Sequence, residues 1–224
     1  MIELADVRVQ LGEREVLSGV SATLAERRVG VIGANGSGKS TLARLLNGLA
    51  LPTEGAVTVL GLDTRREAAK IRRRVGFLFT DPDAQIVMPT VAEDVAFSLR
   101  RRKLPQDEID RRVTGVLTHY GLDEHADHPA HHLSGGQKQL LALCSVMVLE
   151  PEILIMDEPT TLLDLRHSRQ VAALLRDLPQ QVIVVTHDLA LLDGFDRVLV
   201  LDQGKIVADA APPDAIGFYR ELMS

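Results

Sequence analysis

Tryptophan is absent from this sequence of 224 residues, and aromatic residues make up only 3% of it. With 46% of the chain hydrophobic, the core must be built from aliphatic side chains. A single cysteine, Cys144, excludes an intrachain disulfide framework and fits a reducing compartment. It sits in an apolar stretch, where a thiol serves as a small buried hydrophobe rather than a nucleophile. There is no basic excess: the formal net charge is -6, which argues against a nucleic-acid binder. No apolar run reaches the length of a membrane span, and Met1-Ile2-Glu3 begins no signal peptide. Any membrane role must therefore come through a partner.

What is present is an alternation of apolar patterns. Residues 2–25 read as two or three short antiparallel strands around the turn Gly12-Glu13-Arg14. Val29 to Ile32 is a compact strand running into glycine. Leu42, Leu45, Leu46 and Leu49 then repeat at helical spacing, predicting a helix from near Ser37 to Gly48. Val57 to Leu60, Ile153 to Met156, Val182 to Val185 and Val198 to Leu201 read as further strands. Helices are predicted over 105–119, 140–149 and the stretch marked by Val171, Leu174, Leu175 and Leu178. Asp202-Gln203-Gly204-Lys205 has the composition of a hairpin turn. Strands alternating with helices imply an α/β core carrying an N-terminal antiparallel layer. No repeat or long linker divides the chain, so one domain over 1–224 is expected.

Gly33-Ala34-Asn35-Gly36-Ser37-Gly38-Lys39-Ser40 matches the eight-position phosphate-loop pattern, with Thr41 next in the chain. It follows a strand and opens a helix, as the pattern requires. Its glycines let backbone N–H groups converge on phosphate oxygens at a helix N-terminus. Lys39 would reach the β- and γ-phosphates, and the Ser40 hydroxyl would ligate Mg²⁺. Downstream, Asp157 and Glu158 close a buried strand, where ligands gather in open α/β sheets. Asp157 would hold Mg²⁺, and Glu158 would orient the attacking water, because phosphoryl transfer depends on positioning and charge neutralisation.

A phosphate loop alone is shared by kinases, GTPases and helicases. Leu133-Ser134-Gly135-Gly136-Gln137, about twenty residues before Asp157, decides among them: the order and spacing resemble the ABC ATPase family over essentially the whole chain. The resemblance implies an α/β fold with a phosphate-loop core, an N-terminal β layer, and a helical subdomain at about 85–150. It also implies that Ser134, Gly135, Gly136 and Gln137 bind ATP held by a second ATPase subunit, so that the working unit is a dimer, expected to be a homodimer. Asp164 matches the loop that communicates across that dimer. His187 matches the switch histidine that contacts the γ-phosphate and orients Glu158. The implied cofactors are ATP and Mg²⁺.

Two positions depart from the family pattern. Leu11 stands where an aromatic residue usually stacks on adenine. Thr80, in Phe79-Thr80-Asp81-Pro82-Asp83-Ala84-Gln85, occupies the glutamine position of the loop that serves the metal. Thr80 or Gln85 would take over that role.

Residues 81–97 and 158–166, with Gln139-Leu140-Leu141-Ala142-Leu143, resemble the energy-coupling-factor branch, and within it the ATPases of bacterial biotin uptake. Cobalt and nickel relatives are the nearest competitors. The implied partners are a transmembrane coupling protein and a small substrate-binding membrane protein, with the chain peripheral on the cytoplasmic face of the membrane. Residues 210–224 read as a short tail without the branch's C-terminal extension. Two other classes compete. A soluble ABC ATPase acting on DNA or ribosomes would carry long insertions or two ATPase halves, and a regulatory module would not need both Glu158 and His187. His125, His128, His131 and His132 have loop-like spacing and read as solvated rather than metal-ligating. Ile86, Val87 and Met88, an apolar run on a surface connection, mark the expected partner contact.

Overall fold

Two sheets of different construction carry the chain in the computed structural model, which describes residues 1–224. The strands are β1 (Ile2–Leu11), β2 (Arg14–Leu24), β3 (Arg28–Gly33), β4 (Glu54–Val59), β5 (Leu62–Asp63), β6 (Val75–Leu78), β7 (Ile153–Asp157), β8 (Gln181–Val185), β9 (Arg197–Asp202) and β10 (Lys205–Ala210). The helices are α1 (Lys39–Leu46), α2 (Thr64–Ile71), α3 (Val91–Leu99), α4 (Gln106–Tyr120), α5 (Gly135–Met147), α6 (Leu165–Asp177) and α7 (Pro212–Leu222).

The first sheet is antiparallel, in the order β2-β1-β4-β5. Its N-terminal part is two long strands, where the sequence pattern allowed two or three short ones. The buried positions Ile2, Leu4, Val7 and Val9 break the period of two between Leu4 and Val7. The pairing register shifts at the same place, and Asp6 adopts φ +46°. This irregularity keeps Val7 and Val9 on the inner face, where an unbroken strand would have turned them out.

The second sheet has the order β10-β9-β3-β8-β7-β6. It is parallel from β9 to β6, with β10 added antiparallel at the edge through the expected hairpin at Gln203-Gly204. Strands β3 and β7 are buried along their whole length, which explains their uninterrupted apolar runs. Ile153 and Ile155 face the core shared with α1 and the antiparallel sheet, while Leu154 and Met156 face the core shared with α3, α4 and α5. Helix α1 contributes Leu42, Leu45 and Leu46 to the first core, all essentially inaccessible. Each such leucine is worth about 2 kcal/mol of burial, so this face holds the phosphate loop to the sheet.

Local signals correct several expectations. Helix α5 begins at Gly135 rather than Leu140, because Ser134 caps it in a reciprocal box with Gln137. Helix α3 is capped by Thr90 and Glu93 in the same way, a pattern present in the sequence but unread there. Helix α2 starts at an Asp63 cap. The short C-terminal tail is helical over Pro212–Leu222, with Ala215 buried. No helix is long and apolar enough to cross a membrane.

Candidate functional site

Strands β3, β8, β7 and β6 are consecutive neighbours in the parallel sheet. Their carboxyl ends bring the phosphate loop, His187, Asp157 with Glu158, and Thr80 to one edge. The parallel register is what aligns them, since Val31 and Asp157 both pair with Val185.

The loop after β3 depends on missing side chains. A Cβ at Gly33 would lie 2.1 Å from the Leu201 carbonyl oxygen, and one at Gly38 would lie 2.8 Å from that of Val16. Gly38 also takes φ +105°, a region that favours glycine. The main-chain N–H groups of Gly36, Gly38, Lys39, Ser40 and Thr41 donate to no protein acceptor. They form the anion nest expected where a loop opens a helix. Lys39 is buried, and its Nζ donates to the carbonyls of Gly33 at 2.8 Å and Ala34 at 3.0 Å. Burial pulls its pKa below the ordinary lysine range, against the opposing charges of Glu158 and Asp157. An anion in the nest would favour the protonated form.

Ser40 Oγ donates to Asp157 Oδ1 at 2.9 Å. Asp157 is only 2% exposed, and burial raises its pKa, partly offset by the Ser40 hydrogen bond. A buried carboxylate beside a hydroxyl is a hard-oxygen pair suited to Mg²⁺, which usually takes one or two protein ligands with phosphate and water. No group of three or more His, Cys, Asp or Glu side chains is gathered for a metal, consistent with a sparse site of this kind.

Glu158 sits in the left-handed region at φ +55°, a strained position for a non-glycine residue. Its Oε2 accepts from the His187 main-chain N–H at 3.2 Å and faces His187 Nδ1 at 2.7 Å. The Thr161 hydroxyl donates to the same oxygen at 3.3 Å. Oε1 has no protein partner and remains available to a water molecule.

Thr80 reaches this edge, but its hydroxyl donates to the Asp157 main-chain carbonyl at 2.9 Å. It therefore steadies the end of β7. Gln85, the other residue expected to serve the metal, is hydrogen-bonded to main chain. Its Oε1 accepts from the Phe79 N–H and its Nε2 donates to the Ala142 carbonyl on α5. Those bonds tie the side chain to the strand end and the helical region.

A cavity of about 370 Å³ runs from Lys39, Ser40, Thr41 and Glu158 past Asn35, Gly36 and Gly38 to Leu11, Arg14 and Val16. Leu11 is among its lining residues and is itself exposed. Arg14 was not foreseen, because an arginine beside a hairpin turn carries no motif. None of Ser134, Gly135, Gly136 and Gln137 lines this cavity. They form the first turn of α5, where Gln137 N–H donates to Ser134 Oγ and Ser134 N–H to Gln137 Oε1. A Cβ at Gly136 would lie 2.4 Å from the His167 ring. His167 is in turn held by Asp164, which accepts from its N–H at 2.9 Å and lies 2.9 Å from its Nδ1. His167 is a second residue the motifs did not reveal.

The remaining candidates divide cleanly. Cys144 is buried, and burial pushes its thiol up to about 12. His125 and His128 face each other at 2.9 Å through Nδ1, with His125 also against Gln137; they gather no ligand set. Along the expected partner contact, Ile86 packs on the core while Val87 is 61% exposed. Asp94, itself buried, accepts from the N–H groups of Val87 and Met88 and from Ser145 Oγ. The apolar run is thus anchored beside a cavity of about 330 Å³ that it lines with Asp83, Pro89, Ala130 and His131.

Comparison with known proteins agrees with this geometry. The sequence profile described as ABC transporter matches residues 17–161. The chain is 47% identical to the biotin transport ATP-binding protein BioM of Rhizobium etli, over 99% of this chain and 98% of that one. Its fold is similar to cbiO1 from Clostridium perfringens, part of the ABC transporter complex cbiONQ, with a TM-score of 0.86 and 31% identity, covering 99% and 92% of the two chains. It is also similar to the ATP-binding cassette MJ0796, in a dimeric post-hydrolysis state bound to ADP and Pi, with a TM-score of 0.82 and 28% identity over 95% and 99%.

Proposed function

The chain belongs to the ABC transporter family, as an ATPase subunit of its energy-coupling-factor branch, and we propose that two copies enclose two ATP molecules to power biotin uptake. The carrying observation is the separation of two half-sites on one chain. The phosphate loop, Asp157, Glu158 and His187 share one sheet edge, while Ser134–Gln137 lines no part of their cavity. Each half has the chemistry of an anion site, and a second copy supplies the missing half. The dimeric form of the similar MJ0796 cassette supports this reading.

In this site the loop N–H groups and Lys39 hold the β- and γ-phosphates. Ser40 and Asp157 hold Mg²⁺, which when bound neutralises phosphate charge. Glu158 presents Oε1 to the attacking water, with Oε2 fixed by His187. Ser134 and Gly136 of one copy cap the γ-phosphate bound by the other. The held apolar run at Val87 receives a transmembrane coupling protein, which works with a small substrate-binding membrane protein. The chain then lies peripherally on the cytoplasmic face of the membrane, as one ATPase domain with its helical part at about 85–150. Biotin is the proposed substrate, a reading supported by similarity to BioM over nearly both full lengths.

The test combines affinity capture from solubilised membranes, mass spectrometry and uptake assays in cells lacking the chain. The expected result is capture of two membrane proteins with loss of biotin uptake. Intact biotin uptake with loss of cobalt uptake would overturn the substrate, and capture of ribosomal or DNA-bound partners alone would overturn transport.

A further inference from the structure

The cavity over the phosphate loop has a direction. Lys39, Ser40 and Glu158 lie at the reacting end, so the nucleoside of ATP must lie toward Leu11, Arg14 and Val16. No aromatic residue lines that end. Leu11 is 61% exposed and offers a flexible aliphatic surface without a π face. Arg14 offers something different. Its Nη2 donates at 3.0 Å to the Gly36 carbonyl, inside the phosphate loop. A Cβ at Gly36 would lie 3.3 Å from the same nitrogen, so the guanidinium rests directly on the loop.

Arg14 is exposed, and carboxylates flank it in the sequence at Glu13 and Glu15. It leaves Glu15 to Arg8, at 3.0 Å, and makes no ion pair of its own. Its side chain makes one hydrogen bond, to a residue 22 positions away. Arg14 also borders a second cavity of about 340 Å³, with Gly36, Asp202, Gln203 and Gly204. A guanidinium is planar, permanently charged and weakly hydrated, and it stacks on aromatic faces.

We propose that Arg14, anchored on Gly36, is the base-side clamp of the nucleotide, its guanidinium stacking on the purine in place of an aromatic side chain. The assignment rests on the reading of this cavity as the ATP site. It makes Arg14 a residue that sets affinity for the base, distinct from those that hold phosphate. Replacing it should therefore weaken ATP without weakening a ligand that has no base.

The experiment titrates Mg²⁺-ATP and Mg²⁺-tripolyphosphate calorimetrically into wild type, Arg14→Ala, Arg14→Lys and the double variant Arg14→Ala with Leu11→Tyr. Arg14→Ala should weaken ATP about fivefold, the scale of one stacking contact, and leave tripolyphosphate unchanged. Arg14→Lys should fail to restore ATP affinity, because its ammonium has no plane to stack. Leu11→Tyr in the Arg14→Ala background should restore it. Equal weakening of both ligands would make Arg14 a phosphate or loop residue and overturn the clamp, as would unchanged ATP affinity. Thermal melting of each variant separates loss of the contact from loss of fold, with Arg14→Lys carrying the test if Arg14→Ala melts early. Failure of wild type to bind either ligand would instead defeat the ATP-site reading itself.

Discussion

His187 addresses one oxygen of Glu158 twice, with Nδ1 at 2.7 Å and its main-chain N–H at 3.2 Å. The two residues lie 29 positions apart, and each follows a different parallel strand. Glu158 also holds φ +55°, so its backbone strain and its side-chain direction serve the same placement. The other oxygen is left to the reaction.

This placement predicts the effect of removing the carboxylate. Glu158→Gln should lower steady-state phosphate release by about 10²-fold or more, some 3 kcal/mol of barrier. ATP binding should persist, because the phosphate loop is untouched. Near-wild-type turnover in the variant would remove Glu158 from the role of water-orienting residue.

Gly136 predicts a separable defect. Its added methyl in Gly136→Ala meets the His167 ring at 2.4 Å, and overpacking of this kind costs about 1–3 kcal/mol. Turnover should fall at least about tenfold, with nucleotide binding by the single subunit retained. Adding His167→Ala should recover part of the lost rate, since it removes the colliding ring. No recovery in the double variant would show that the methyl acts on something other than His167.

The 86–88 segment predicts loss of assembly without loss of chemistry. In a variant carrying Ile86→Asp and Met88→Asp, basal ATPase should continue while co-purification with the membrane partner fails. Asp94 already holds the neighbouring N–H groups, so the loop path should survive the change. Because Ile86 packs on the core, the exposed Val87→Asp provides the milder companion. Assembly undisturbed in both variants would move the partner contact elsewhere.

Cys144 should be silent to thiol reagents. With its pKa near 12, the thiolate fraction at pH 8 is roughly 10⁻⁴. Ellman's reagent should titrate no thiol in the native protein and one after denaturation. Rapid labelling under native conditions would show that α5 opens far more readily than its packing implies.

Much of the site was legible before any coordinates, for a physical reason. Phosphate binding needs backbone N–H groups at a strand–helix junction, and that demand is written locally as glycines, a lysine and a serine in one short run. Asp157 and Glu158 were legible because a buried parallel strand is an uninterrupted apolar run ending in charge. Capping boxes at Thr90 and Ser134 were equally local, though their reach was underread, and α5 was expected five residues late.

Other features depend on residues that the chain brings together only by folding. The sequence alone determined the α/β class and placed the glycine-rich loop and the Asp157–Glu158 pair at strand ends, because each is encoded within a few consecutive residues. Tertiary structure decided which oxygen of Glu158 faces His187, that Gln85 turns to Ala142, that His167 covers Gly136, and that Arg14 rests on Gly36. Those contacts join residues 22 to 57 positions apart, through sheet register and helix packing. Local pattern carries no record of such distances, since it reports what a segment prefers and not what it will meet.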